Sequence, residues 1–152
     1  MPEKETIKRA QEDAREGKSP STQAGEFVRE EMHHVRERKH GAASTKQAIA
    51  IGLSKARRAG VKLQTPRKGQ ASEGTIKQAK RDDRKGGAHS SSRPSATRSR
   101  ATMQALKKEG HSAASHKSLS RQARTAAKKR SAASRHNSAV KASRTKRRTT
   151  KS

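Results

Sequence analysis

Clustered basic side chains are the residues of this chain whose type and spacing point most directly to chemistry. Lysine and arginine side chains bind phosphate oxygens, and each such contact releases counterions condensed on a polyanion. The chain has 39 Lys and Arg against 13 Asp and Glu, which gives a net charge of +26. We predict that nucleic-acid phosphates are bound by Lys46, Lys55, Arg57, Arg58, Lys107, Lys108, Lys128, Lys129, Arg130, Lys146, Arg147 and Arg148.

The basic surplus is concentrated in the second half of the chain. Residues 1–64 carry 14 basic and 9 acidic residues, whereas residues 65–152 carry 25 and 4. Self-repulsion disfavours a compact state of such a segment unless a polyanion neutralises it. Double-stranded DNA is the expected partner. An RNA-binding or ribosome-associated protein remains an alternative, as does a protein-interaction module that the basic tail localises.

Three histidines, His33, His34 and His40, raise the question of a metal site. His33 and His34 are adjacent, so their side chains point to different faces of a helix. No acidic or thiol residue lies at the sequence spacing from them that is typical of metal ligands. Cysteine is absent, which excludes thiolate zinc sites and disulfides. We therefore predict a solvated or partly packed helix surface at these histidines, with no metal and no other cofactor.

Catalytic motifs are missing from the chain. There is no P-loop, no G-x-G-x-x-G and no G-x-S-x-G. With a single aromatic residue, Phe27, the composition disfavours a preformed apolar pocket. No apolar run is long enough to span a membrane. The sequence predicts a protein that is neither an enzyme nor membrane-spanning.

Composition also predicts the fold class. Apolar residues make up 26% of the chain, and backbone ordering costs about 1–2 kcal/mol per residue. Most of the chain is therefore expected to be disordered, with a small all-α element. We expect a helical module at 1–64, a flexible linker at 65–95 and a basic Ala/Ser/Lys/Arg-rich tail with transient helices at 96–152. Within the linker, residues 73–85 are expected to be transiently helical.

The all-α element is predicted to be a helical hairpin over about 22–39 and 45–60. Ser44 and Gln47 have the spacing of a capping box at the start of the second helix, and Gly60 favours its end. A short N-terminal helix over 3–16, ending at Gly17, is also expected.

Apolar residues of the two hairpin helices are expected to pack together, with Gly52 permitting close approach. Because two helices alone bury little surface, a homodimer is also compatible with this pattern. The contact surface of that dimer would be formed by Phe27, Ile49 and Leu53.

The segment Lys46–Gly60, KQAIAIGLSKARRAG, follows the triplet Lys39-His40-Gly41. Over roughly residues 23–63, the chain resembles small basic bacterial proteins with a domain of unknown function and a K-Q-A-I-A-I-G-L-S-x-A-R-[KR]-A-G core. The tail is similar in composition to bacterial histone-H1-like proteins. These resemblances imply a DNA-binding protein of the bacterial cytoplasm, associated with the nucleoid, that coats or compacts DNA.

Overall fold

The computed structural model describes residues 2–87 and 95–149, with side chains described as far as residue 144. Its regular structure is helical, apart from one isolated bridge between Lys68 and Ala71. The chain divides into two compact units, Met1–Ser115 and His116–Ser152. The helices of the described residues are α1 Lys4–Arg15, α2 Pro20–Arg36, α3 Thr45–Arg58, α4 Glu73–Gly87, α5 Ala96–Lys107, a 3-10 helix Ser112–Ala114, α6 His116–Lys128 and α7 Ala132–Thr149.

The prediction that most of this chain is intrinsically disordered is wrong, because the described residues are ordered and predominantly helical. Large apolar side chains are few in this chain, but alanine contributes to its packed interior as well. Alanine has the highest helix propensity and lets helices approach closely. Ala48, Ala79 and Ala114 are all buried, so small side chains form much of the packed interior.

Helices α2 and α3 lie where the helical hairpin is predicted. Helix α2 begins at Pro20, directly after its N-cap Ser19, and ends at Arg36, about three residues before the predicted end. Arg38, two residues after the helix, takes φ +60°. At the start of α3, Ser44 Oγ accepts a hydrogen bond from the Gln47 amide at 3.2 Å. The Gln47 side chain accepts one from the Ala43 amide at 2.7 Å. Local capping therefore fixes the start of α3.

Phe27 is the centre of the hydrophobic core. It is 1% exposed and packs with the buried residues Ala10, Ala24, Ala56 and Val61. A Cβ on Gly52 would lie 2.7 Å from the Val28 Cα, so the absence of a side chain permits the close approach of α2 and α3. Because α1 and the segment after α3 contribute to this core, the chain itself covers Phe27 of the expected dimer surface.

Helix α4 occupies part of the predicted flexible linker and packs on α3. Its Asp82 is buried and accepts hydrogen bonds from Ser54 Oγ at 2.6 Å and Arg58 Nε at 2.8 Å. These contacts hold α4 through polar groups, which is why apolar patterning predicted only a transient helix over residues 73–85. Residues 88–94 of the predicted linker lie outside the described part of the chain.

Residues 106–114 extend the first unit beyond the predicted boundary at residue 64. The Gly41 amide donates to the Leu106 carbonyl at 2.9 Å, and Thr45 Oγ1 donates to the Ala113 carbonyl at 2.6 Å. A Cβ on Gly41 would overlap the carbonyl oxygen of Glu109. The loop between α2 and α3 is therefore a docking site for a distant part of the same chain.

The second unit contains α6 and α7. Within residues 116–144, where side chains are described, none is buried. Its helices therefore present almost their whole surface to solvent, so their charged side chains are accessible from solution.

Candidate nucleic-acid interface

Helix α6 carries a row of four cations on one face. Lys117, Arg121, Arg124 and Lys128 are separated by four, three and four residues, and residues at this spacing are neighbours on a helix surface. All four are exposed and, with Ser120 and Thr125, they line one shallow groove. We call these four residues the α6 stripe. At 1.5 Å per residue, the stripe is about 16 Å long.

The rest of the second unit contains nothing that could neutralise this stripe by a carboxylate side chain. Residues 116–152 include 13 Lys and Arg and no Asp or Glu, because all 13 acidic side chains of the chain lie before residue 110. Leu119, Ala123 and Ala126 occupy the opposite side of α6. The helix therefore separates a cationic face from a weakly apolar one.

The predicted residues beside the stripe differ in their surroundings. Lys128 belongs to the stripe, and Lys129 is exposed directly after the helix. The Arg130 guanidinium donates to the carbonyl oxygen of Ser134 at 3.1 Å and also contacts Ser138 Oγ. Lys146, Arg147 and Arg148 fall within α7, but their side chains lie outside the described part of the structure.

The basic face predicted on α3 is largely occupied by internal ion pairs. Lys55 Nζ lies 2.7 Å from a Glu31 carboxylate oxygen, and Arg57 Nε lies 3.2 Å from Asp83. Of the four predicted residues on this helix, Lys46 and Arg58 are exposed, in the first and last turns. The structure therefore does not gather these cations into one open surface.

Arg58 is the remaining cation of that predicted face, and it is paired with the buried Asp82. Burial raises the pKa of this carboxyl, but hydrogen bonds from Ser54, Arg58 and Gln78 outweigh the effect. They leave its pKa below the ordinary value. The ionised carboxylate is therefore the form that the folded unit stabilises.

Lys107 and Lys108, also predicted to bind phosphate, are exposed at the end of α5. They lie in the first unit, immediately before Glu109. Two cations at the end of a helix form a smaller basic surface than the four-residue stripe of α6.

The prediction for the histidines is wrong for His40, which is buried at 5% exposure. His33 is exposed, and His34 is partly buried with a side chain that is 13% exposed, which agrees with a solvated or partly packed helix surface. Glu31, His34 and His40 bring one potential ligand atom each to within 4.8 Å of one another. Among the described residues, this group is the one that could hold a metal ion.

Glu3 lies beside this histidine group at the start of α1. Hydrogen bonds from His34 at 2.9 Å and Lys39 at 3.3 Å lower the pKa of its carboxyl. The contact connects the N-terminal segment to α2 at an exposed site.

Comparison of this chain with protein families, with curated proteins and with solved structures finds no match. The resemblance to small basic bacterial proteins therefore stays a prediction. Among the described residues, no helix is both long and apolar enough to cross a bilayer.

Lys117, Arg121 and Arg124 are the residues of the α6 stripe that the sequence prediction did not name. The prediction relied on consecutive basic residues, and these three are isolated in the sequence. Helical spacing was the available indication, because positions 117, 121, 124 and 128 share one face only when the segment is an α-helix.

Proposed function

We propose that this chain is a non-enzymatic DNA-binding protein that contacts the duplex backbone through the α6 stripe, with little sequence preference. The observation that carries the proposal is the alignment of four exposed cations in a unit without a single acidic residue. Such a surface is attracted to any dense row of phosphates. We also propose a location in the bacterial cytoplasm, associated with the nucleoid, and this rests on the resemblance to small basic bacterial proteins.

The dimensions of the stripe suit a polyanion. Duplex DNA carries one charge per roughly 1.7 Å of its axis, so about 16 Å of helix faces about ten phosphate charges. Each of the four cations can then bind a nearby phosphate oxygen. Contacts of this type set position and affinity but carry no base information.

Internal pairing makes the α3 cations weaker candidates for this role. Releasing Lys55 or Arg57 to bind DNA would leave a carboxylate of Glu31 or Asp83 without its partner. Breaking such contacts in a buried site is costly. We therefore assign Lys46, Lys107 and Lys108 to secondary contacts and the α6 stripe to the principal one.

The decisive experiment moves charge without removing it. One variant combines Arg121→Gln, Gln122→Arg, Ala123→Arg and Arg124→Ala, which keeps composition and net charge but takes two cations off the stripe. A second variant, Arg121→Ala with Arg124→Ala, removes the same two charges. Lys107→Ala with Lys108→Ala removes two charges from the first unit and is the matched control.

Affinity for random duplex DNA would be measured over a salt series. Each phosphate contact contributes about −0.9 to the slope of log K against log salt, so both α6 variants should flatten the slope by about 1.8. The control pair should change it much less. An unchanged slope in the charge-moving variant would contradict the stripe as the interface.

Two further comparisons test the partner class. Structured RNA in the same salt series should bind more weakly than duplex DNA, and tighter RNA binding would favour the RNA alternative. Duplexes of different sequence should bind alike, so a strong preference for one sequence would rule out backbone contact as the main mode of binding.

A further inference from the structure

A group of one carboxylate and two imidazoles lies in the first unit, away from the α6 stripe in sequence, with Glu31 and His40 buried and His34 partly buried. Glu31 and His34 are three residues apart on α2, and His40 follows in the loop after that helix. Side chains at this helical spacing project from the same face. Glu31 is fully buried and His40 nearly so, although both are polar.

The hydrogen bond of His40 determines which of its nitrogens is available. Its Nδ1 lies 3.0 Å from the Gly41 carbonyl oxygen, which can only accept, so Nδ1 carries a proton. In a neutral imidazole, Nε2 then has a free lone pair. A ring fixed in this way by a backbone carbonyl is the usual arrangement of a histidine that binds metal.

The free lone pair of His40 faces another acceptor. Nε2 lies 3.3 Å from Glu31 Oε1, and neither atom can donate when the ring is neutral and the carboxylate ionised. Both Glu31 oxygens are buried without a hydrogen bond of acceptable geometry, although Lys55 Nζ lies 2.7 Å from Oε2. A buried pair of facing acceptors needs a cation between them.

We propose that Glu31, His34 and His40 bind a divalent transition-metal ion, Zn²⁺ in the first instance. Two ligands at about 2.0–2.1 Å from a tetrahedral zinc stand about 3.4 Å apart, close to the present separation of Oε1 and Nε2. One carboxylate and two imidazoles are ligands that zinc accepts, leaving a fourth position for water or another oxygen. Lys55 stays on the second oxygen of Glu31.

The consequence of binding would be structural. The metal would join α2 to the loop that carries Gly41 and Ala42, whose amides hold the carbonyls of Leu106 and Gly110. Fixing that loop therefore fixes the docking of residues 106–110. A proton on His40 is the competing explanation, since it would also join the two acceptors.

The test uses the full chain, freed of metal by a chelator and titrated with ZnCl₂ at about pH 7.5, where an ordinary imidazole with a pKa of about 6.5 is mostly neutral. Calorimetry should show one tight site per chain. Titration with Co²⁺ should give the visible absorption of a four-coordinate ion with nitrogen and oxygen ligands.

His34→Ala and His33→Ala form a matched pair, because they remove neighbouring imidazoles of which only one belongs to the group. His34→Ala should weaken Zn²⁺ binding about tenfold or more, since loss of even an outer-shell partner costs that much. His33→Ala should leave the affinity unchanged. His40→Ala and Glu31→Gln should act like His34→Ala, provided that their circular dichroism shows a folded chain.

Equal weakening by the two histidine variants, or no saturable site, would overturn the proposal and leave the proton as the bridging cation. The variant Arg121→Ala with Arg124→Ala should bind Zn²⁺ as the wild type does. Failure of the metal site is thereby distinguished from failure of the proposed DNA interface.

Discussion

The two units of this chain have the same net charge, but only the first unit contains acidic residues that can pair with its cations. Residues 1–115 contain 26 basic and 13 acidic residues, whereas residues 116–152 contain 13 basic and none that are acidic. Both therefore carry +13. In the first unit, several cations are paired with carboxylates, including the buried Asp82 and Glu31. Net charge alone therefore does not identify a polyanion-binding surface, because only cations without an internal partner are available.

The two units also differ in how many side chains they bury. The first unit has a core around Phe27, whereas residues 116–144 of the second have no buried side chain. Stability gained from packing is therefore concentrated in the first unit. We expect substitutions in the first unit to change cooperative unfolding, and substitutions in the second to change binding or local helicity.

Phe27→Ala is expected to cause the largest loss of folding stability. Deleting a buried aromatic side chain costs about 3–5 kcal/mol, a large share of the stability of a small domain. Denaturant unfolding followed by circular dichroism should show a lower midpoint. Leu119→Ala on α6 is the control and should leave that midpoint unchanged, since Leu119 is only partly buried. A similar loss in both variants would contradict the contrast between the units.

Asp82→Asn should have the next largest effect. The change removes a buried carboxylate that holds Ser54, Gln78 and Arg58, and leaving such partners unsatisfied costs about 1–3 kcal/mol. Thermal unfolding at neutral pH would measure it. Preserved stability would show that α4 is held on α3 by apolar packing alone.

The contribution of Asp82 to folding stability should decrease at acidic pH. Its folded pKa lies below the ordinary value of 3.8, so its contribution is full above that value and is lost as the pH falls through the lowered folded pKa. Acid unfolding of Asp82→Asn should therefore be less steep in this range. Ser54→Ala removes one hydrogen bond that lowers the pKa of Asp82, so the contribution should be smaller and its loss should be complete at a higher pH.

Two glycine-to-alanine substitutions in the first unit should change its stability in opposite directions. Gly→Ala in a helix normally stabilises by about 1 kcal/mol, and Gly25→Ala should do so because nothing lies within 4 Å of the added Cβ. Gly52→Ala should instead destabilise by about 1–3 kcal/mol, because its Cβ meets the backbone of Val28. Equal effects in chemical denaturation would contradict the close approach of α2 and α3.

The smallest effects are expected at two helix N-termini. Ser44 and Ser131 each accept a hydrogen bond at 3.2 Å from the amide three residues ahead. Replacing such a cap by Ala costs about 1 kcal/mol of helix stability. Ser44→Ala should lower the cooperative unfolding midpoint, whereas Ser131→Ala should reduce only the helical circular dichroism. A lower midpoint in both would show that the second unit contributes to cooperative unfolding.

Local features of the fold could be predicted well from the sequence. The hairpin helices followed from apolar periodicity and from the Ser44 cap, and Gly60 adopts φ +93° just after α3. These features depend on residues close together in the chain. The packing of α4 on α3 and the docking of residues 106–114 were missed because these contacts join distant residues, such as Asp82 with Ser54 and Ala113 with Thr45.

The sequence by itself determined the total charge, its division between acid-containing and acid-free segments, and the 4-3-4 spacing of the α6 stripe. Tertiary structure alone decided that Lys55, Arg57 and Arg58 meet carboxylates, and that Glu31, His34 and His40 converge. The physical reason is that helix geometry follows from neighbouring residues, whereas the partner of a charge depends on which distant segment packs against it.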